Sequence, residues 1–385
     1  MNYSPIEEVA LTQKLVRIES TNPGAFEYKV SDFVYDFLVQ TGAGVLRHEV
    51  KDGRCNIVAT LKGEQSGPRL VYICHQDTVP LGDGWHHDPL AAEIIDGRMY
   101  GRGSCDMKSG LAAGMLAFRS IAAMGKKLKH DFLFIASMDE EDIMIGADKL
   151  IADGIVRADD YVLDAEPTNG AIKVAHKGKT WFRLDAKGVA CHASTPEKGS
   201  DAVAALSEVI CAINRRLRAL PVHPELGPCA ATFGIINGGL NLNIVPGECY
   251  CTIDMRLTPP TTNEQSIRLV EEAIAEGCAN VPGTSCTYTV LAQRPAVEKD
   301  NDSYLLKMLR AATKDVTGEE APVDFFPGYT DTAVIAATTG NRNCMSYGPG
   351  DLFYAHKPDE FVELDDITRC TRVMTRLAES ILIDA

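Results

Sequence analysis

Apolar runs of strand length alternate along this chain with stretches of helical periodicity. Ile6, Val9, Ala10, Leu15 and Val16, then Val30, Phe33, Val34, Phe37 and Leu38, recur at helical spacing and predict helices over 5–20 and 28–41. Three strand-like runs follow: Gly44 to Val50, Asn56 to Leu61 and Leu70 to Cys74. An exposed connection with Trp85 and the Asp96-Gly97 turn leads to a helix near 110–123. Next come the strand Phe132 to Ala136, a short helix near 146–153 and the strand Tyr161 to Leu163. Unbroken apolar strands alternating with helices indicate an α/β domain whose mostly parallel sheet carries helices on both faces.

Beyond residue 178 the rhythm changes. Thr180 to Ala186 alternates like a half-exposed strand, Asp201 to Leu220 reads as a helix, and strands follow at Ala230 to Ile236 and Glu248 to Leu257. A helix over Asn263 to Glu276 and a strand over Cys286 to Leu291 complete a β-α-β-β-α-β order, the ferredoxin-like α+β pattern. The chain therefore divides into an outer domain, 1–178 with 294–385, and an inserted domain, 179–293. Hinges fall near Lys177-Gly178 and Arg294-Pro295. The α/β pattern resumes with helices at 302–314 and from Asp331, the strand Asn343 to Tyr347 and a helix near 365–383.

Composition adds limits. With 45% hydrophobic and 24% charged residues in 385, a large core is available. A net charge of −15 argues against nucleic acid or an anionic membrane as the main partner. No stretch is apolar enough to span a bilayer, and Met1 to Glu8 lacks the basic start and apolar core of a signal peptide, so a cytoplasmic protein is expected. The twelve cysteines are scattered without a C-x-x-C pair, and Cys74, Cys105 and Cys191 read as packing residues.

The chemistry gathers where strands end. His75 and Asp77 close the Leu70 strand, Glu140 and Glu141 follow the Phe132 strand, and Asp164 and Glu166 end the Tyr161 strand. His356 comes after the Asn343 strand, and Asp106 opens the helix near 110, where it can cap the helix, bind a metal or do both. Ligands of open α/β sheets collect beyond the carboxyl ends of the strands. Carboxylates brought together there need cations between them. Two His, one Asp and two Glu bring −3, a bridging hydroxide makes −4, and two divalent cations cancel it. Mixed imidazole and carboxylate ligation suits Zn²⁺, with Co²⁺ or Mn²⁺ as alternatives.

These residues resemble a known family. His75-x-Asp77-x-Val79-Pro80, Gly101-Arg102-Gly103-x-x-Asp106-Met107-Lys108, Asp139-Glu140-Glu141, Glu166-Pro167-Thr168, Ala355-His356-Lys357 and Gly188-x-x-x-His192-Ala193-Ser194 look like the M20 metallopeptidase family, in the same order along nearly the whole chain. That group includes acetylornithine deacetylase, succinyl-diaminopimelate desuccinylase, aminoacylase and glutamate carboxypeptidase. The resemblance implies a two-metal amidohydrolase that cleaves an N-acyl amino acid by a metal-bridged hydroxide. A dipeptidase or carboxypeptidase of the same chemistry is the alternative, and a scaffold that binds metal without catalysis is a third. It assigns His75 and Glu166 to one metal, His356 and Glu141 to the other, and Asp106 to both. Asp77 would orient His75, and Glu140 would be the general base. His192 would reach the oxyanion across a homodimer joined through the inserted lid domains. Arg256, Asn243, Gly328 and Thr330 would contact the substrate, although Gly328 and Thr330 can equally form a helix cap. Gln76, Ser109 and the Asp142–Gly146 segment depart from common family patterns, and Asp164 lies on the same side of its strand as Glu166.

Overall fold

The most apolar runs form the middle of one sheet. The computed structural model describes residues 7–383, so positions 5–6 of the first predicted helix lie outside the described residues. The chain divides into two compact units, 1–175 with 299–385, and 176–298.

In chain order the strands of the first unit begin with β1 (Gly44–Lys51), β2 (Arg54–Leu61), β3 (Leu70–His75), β4 (Glu93–Ile95) and β5 (Arg98–Tyr100). Then come β6 (Phe132–Ser137), β7 (Tyr161–Pro167) and β8 (Ile172–His176). The second unit holds β9 (Gly178–Lys187), β10 (Ala230–Gly238), β11 (Glu248–Leu257) and β12 (Ser285–Arg294). The first unit then resumes with β13 (Val323–Phe326), β14 (Cys344–Gly348) and β15 (Phe361–Glu363).

The large sheet runs β1-β2-β6-β3-β7-β14-β8-β13, with β6, β3, β7 and β14 parallel at its centre. Both β1-β2 and β2-β6 pair antiparallel on one flank, as does β14-β8 on the other. The local reason on the first flank is the Asp52-Gly53 turn, with φ of 52° and 77°, because a two-residue turn of this kind joins only antiparallel neighbours. All six residues of β3 and of β6 are buried. Tyr72, Cys74, Phe132 and Phe134 join a cluster with the helices Lys108–Ala123 and Leu364–Leu382, while the alternate residues Val71, Ile73, Leu133 and Ile135 are equally buried. Alternate residues of each strand thus fill both faces, as a central parallel sheet requires.

Gly110 shows how tightly helix and sheet meet. A Cβ there would lie 2.2 Å from the Ala165 carbonyl oxygen, so the helix Lys108–Ala123 rides directly on β7. That contact sets the distance between Asp106, just before the helix, and Glu166, near the end of β7.

In the second unit the order β10-β11-β9-β12 is antiparallel throughout. Helices Ala202–Arg218 and Asn263–Asn280 cover it, with Phe182, Leu184, Val209, Ile213, Ile253 and Val270 in the core. Asp201 caps the first helix by accepting from Val203 and Ala204 N–H, and Thr262 with Gln265 forms a capping box on the second.

Gly110→Ala should destabilise the protein by about 1–3 kcal/mol through overpacking, and should weaken metal uptake as the helix and β7 separate. Denaturant unfolding and calorimetric metal titration measure the two effects. Unchanged values in both would mean the close approach is not a constraint.

Candidate metal centre

The ends of β3 and β7, the turn after β6, and the loop before His356 bring their polar groups to one place. His75, Asp106 and Glu166 form one set whose ligand atoms lie within 4.8 Å of one another, and Asp106, Glu141 and His356 form a second. Asp106 belongs to both. Its Oδ1 is 3.1 Å from His75 Nε2 and its Oδ2 is 3.3 Å from His356 Nε2. Glu166 Oε1 stands 3.7 Å from His75 Nε2, and Glu141 Oε2 stands 3.0 Å from His356 Nε2. Asp164 turns away from this group to accept from the Thr332 hydroxyl at 2.6 Å.

The donor chemistry fits two divalent cations: each set offers one imidazole and two carboxylates, with a carboxylate in common. The electrostatics fit as well. Burial disfavours a charged His75, yet the carboxylates of Asp106, Glu166 and Glu140 outweigh it and hold its pKa well above the usual value. Hydrogen bonds that the His356 ring donates to Asp106 and Glu141 push its pKa up to about 11. Burial, then neighbouring carboxylates, drives Glu140 and Glu166 well above the ordinary carboxylate range. The pocket field therefore favours positive charge at the point where both sets converge.

Two sequence expectations change in detail. Asp77 does face His75, but the ring Nδ1 donates to the Asp77 backbone carbonyl at 2.9 Å, with the carboxylate Oδ1 at 3.7 Å. The carboxylate instead receives the backbone N–H groups of Glu140 and Glu141, each at 3.2 Å. Asp106 does not cap the following helix, whose N-cap position is Met107 without a side-chain cap. Instead, Glu360 fixes Asp106: Glu360 Oε1 accepts from Cys105 and Asp106 N–H at 2.9 and 3.0 Å, while its Oε2 pairs with buried Arg102. Sequence reasoning missed Glu360, although its place four residues after His356 and the Arg102 of the Gly101-Arg102-Gly103 motif were available signals.

Thr330, buried, caps the helix Asp331–Thr339 and bonds Thr332 at 2.8 Å, so its hydroxyl is taken up inside the fold. Gly328 precedes that cap, with a Cβ position 3.0 Å from the Phe326 ring. His192, Asn243 and Arg256 belong to the second unit. There the Ala193 N–H donates to the Asn243 carbonyl at 3.0 Å and His192 bridges Ile244, which joins their loops. His192 Nδ1 meets the Ser194 hydroxyl at 2.8 Å. Arg256, on β11, contacts Asp254 through Nε and Nη2.

Strand ends and the loops beside them thus bring together two candidate ligand sets that share one carboxylate, at the edge of an α/β sheet. The chain belongs to peptidase family M20/M25/M40, whose sequence model matches residues 71–380, and it is thus a hydrolase of the amidohydrolase and peptidase type. It is 30% identical over 334 residues to an acetylornithine deacetylase of Proteus mirabilis, covering 85% of this chain and 83% of the relative. It is 24% identical to a probable succinyl-diaminopimelate desuccinylase of Staphylococcus epidermidis, over 93% of this chain and 94% of that one. The crystal structure of an aminopeptidase from Bacillus cereus shares the fold, with a TM-score of 0.81 at 20% identity, over 97% of this chain and 98% of the other. So does a Bacillus subtilis protein described as a dinuclear metal binding peptidase of the M20 family, with a TM-score of 0.72 at 16% identity, over 97% of each chain.

The charge state of the centre gives a signed pH dependence for metal-free protein. The His356 pKa rises from 6.5 to about 11, and burial raises Asp77 and Asp331 to about 7. A group whose folded pKa exceeds its unfolded value favours the fold at low pH and loses that contribution as pH rises toward the folded pKa. The thermal midpoint of metal-stripped protein should therefore fall as pH rises from about 5 toward 10, and divalent metal should remove most of that slope. A metal-free midpoint that climbs over this range would contradict the electrostatic account.

Proposed function

We propose that this protein is a two-metal amidohydrolase that cleaves the amide bond of an N-acyl amino acid, with Zn²⁺ as first choice of metal and Co²⁺ or Mn²⁺ as alternatives. The observation that carries the reading is the sharing of Asp106 between two ligand sets, with Glu140 buried beside them. In it His75 and Glu166 would hold one ion, His356 and Glu141 the other, and Asp106 would serve both. Divalent cations bound there supply a Lewis acid that acidifies water and polarises the scissile carbonyl.

The rest of the mechanism belongs to the chain. Glu140 takes a proton from the attacking water and delivers it to the departing amine, and its raised pKa suits both transfers. The Asp77 carbonyl fixes the imidazole of His75 so that Nε2 faces the centre. Arg256 and Asn243 are assigned to the free carboxylate of the substrate, Gly328 to the loop beside it, and His192, reaching across a dimer, to the oxyanion. The Arg256 guanidinium would exchange its Asp254 contact for the substrate carboxylate.

The surface of the second unit supports a homodimer joined through it. Ile235 and Ile236 are more than half exposed on β10, an edge strand, and Leu240 and Leu242 beyond it are 90% and 99% exposed. An apolar strand edge of this kind is a template for pairing with a second copy. All twelve cysteines are free thiols, which supports assignment to a reducing compartment, the cytoplasm. Among the described residues no helix is long and apolar enough to cross a membrane.

The two relatives by sequence support a deacylase over a dipeptidase. A panel of N-acetyl amino acids, N-succinyl amino acids and dipeptides tests this, and turnover confined to dipeptides would overturn it. Glu140→Ala should retain both metal equivalents by metal analysis while losing at least ~100-fold in rate. His192→Ala should lower turnover with metal content unchanged; metal loss would mean its role is misassigned. Replacing Ile235 and Ile236 together by Lys should convert the dimer to monomer in sedimentation and cut turnover with it.

A further inference from the structure

Beneath the metal centre, four segments far apart in sequence meet in a buried polar layer. Asp139 ends the run after β6 with φ of 68°, a left-handed conformation that Asp tolerates better than most side chains. Its N–H donates to Glu27 Oε1 at 3.0 Å, and its Oδ1 accepts from Arg54 Nη2 at 2.9 Å and Asn22 Nδ2 at 3.1 Å. Arg54 also grips Glu27 through Nε and Nη2, at 2.7 and 2.6 Å. Asn22 Nδ2 has a second acceptor, Asp77 Oδ2, at 2.8 Å. Asp77 in turn receives the backbone N–H of Glu140 on Oδ1 and that of Glu141 on Oδ2. Asn22, Glu27, Arg54, Asp77 and Asp139 are all buried.

A side-chain amide nitrogen carries two N–H groups, and here they go to two different carboxylates. Asn22 is neutral, so it ties Asp77 to Asp139 without adding charge beside a centre already crowded with it. Asp77 follows β3 and Asp139 follows β6, so the amide also joins two strand ends. With Asp77 receiving consecutive N–H groups and Asp139 held left-handed, the peptide planes of 139–141 are fixed and the two glutamates diverge.

We propose that Asn22 is a positioning residue for Glu140 and Glu141, its amide clamping Asp77 to Asp139 so that Glu141 is aimed at the His356 side and Glu140 at the base position. This rests on the proposed roles of those two glutamates. A shift of about 1 Å in reacting groups can cost up to roughly 100-fold in rate, and a carboxylate freed from this clamp would permit one.

The test compares Asn22→Ala, Asn22→Ser and Asn22→Asp with wild type and Glu140→Gln, all loaded with Zn²⁺ and assayed on the best substrate of the acyl panel. Metal-stripped samples are titrated with Zn²⁺ by calorimetry. Asn22→Ala should lower kcat roughly 10- to 100-fold with KM within about twofold, and should weaken one of two Zn²⁺ equivalents more than the other. Asn22→Ser keeps one donor and should recover part of the kcat; Asn22→Asp, with the same shape but a carboxylate facing two others, should recover none. A lower melting temperature with wild-type kcat and both equivalents intact would overturn the proposal, as would failure of both the Ala and Ser variants to fold, since either outcome makes the role structural. Glu140→Gln at wild-type rate would sink the base assignment separately, whatever Asn22 does.

Discussion

The whole site depends on a repulsion that the protein builds and then leaves for something else to satisfy. Like charges about 4 Å apart repel by roughly 4 kcal/mol at an effective dielectric near 20, and Asp106, Glu141 and Glu166 converge with Glu140 close by. The neighbouring protein cations do not relieve this. Arg54 is held by Glu27 and Asp139, and Arg102 is held by Glu360. Buried Lys108 donates to the Ile18 carbonyl at 2.6 Å, and burial lowers its pKa to about 7. With these cations engaged by other partners, the imidazoles become the groups that draw positive charge, which is why both His75 and His356 shift upward. A divalent ion in each set would answer the same demand more completely than a proton can.

Rigid packing makes such a repulsion sustainable. The sheet centre is buried on both faces, and the helix after Asp106 touches β7 so closely that Gly110 has no room for a Cβ. Gly348 repeats the device on the next strand, where a Cβ would lie 2.0 Å from the same Ala165 carbonyl. The backbone that carries Glu166 is thus gripped from a helix and from β14, and cannot drift to relax the charges.

Much of this was legible in the sequence because strand ends are easy to find. Apolar runs begin β3, β6 and β7, and the polar residues at or just beyond their ends lie at the sheet's carboxyl edge. What the sequence hid is of two kinds. Short elements such as β8, β13 and the β4-β5 hairpin carry too few residues for their periodicity to stand out. The antiparallel flanks escaped because pairing direction comes from turns, and the Asp52-Gly53 signal went unused. Among the polar groups, Glu27, Arg54 and Glu360 act through partners 27 to 258 positions away, and no local pattern ties them to the centre. His356 was legible from its place after the Asn343 strand and from its motif, although the loop that delivers it has no periodicity.

The division of labour proposed for Glu140 and Glu141 shows what geometry adds to a motif. Two adjacent glutamates of the same chemistry differ here because their surroundings differ. Glu141 lies against the His356 imidazole, whereas Glu140 is pushed well above the ordinary carboxylate range, first by burial and then by its acidic neighbours. A carboxylate meant to hold a cation and one meant to accept and return a proton need different aims and different neighbours. Consecutive positions can meet both demands only if the backbone turns between them. The left-handed Asp139 and the paired N–H contacts to Asp77 supply that turn, so the roles proposed for the two glutamates would rest on the residues beneath them.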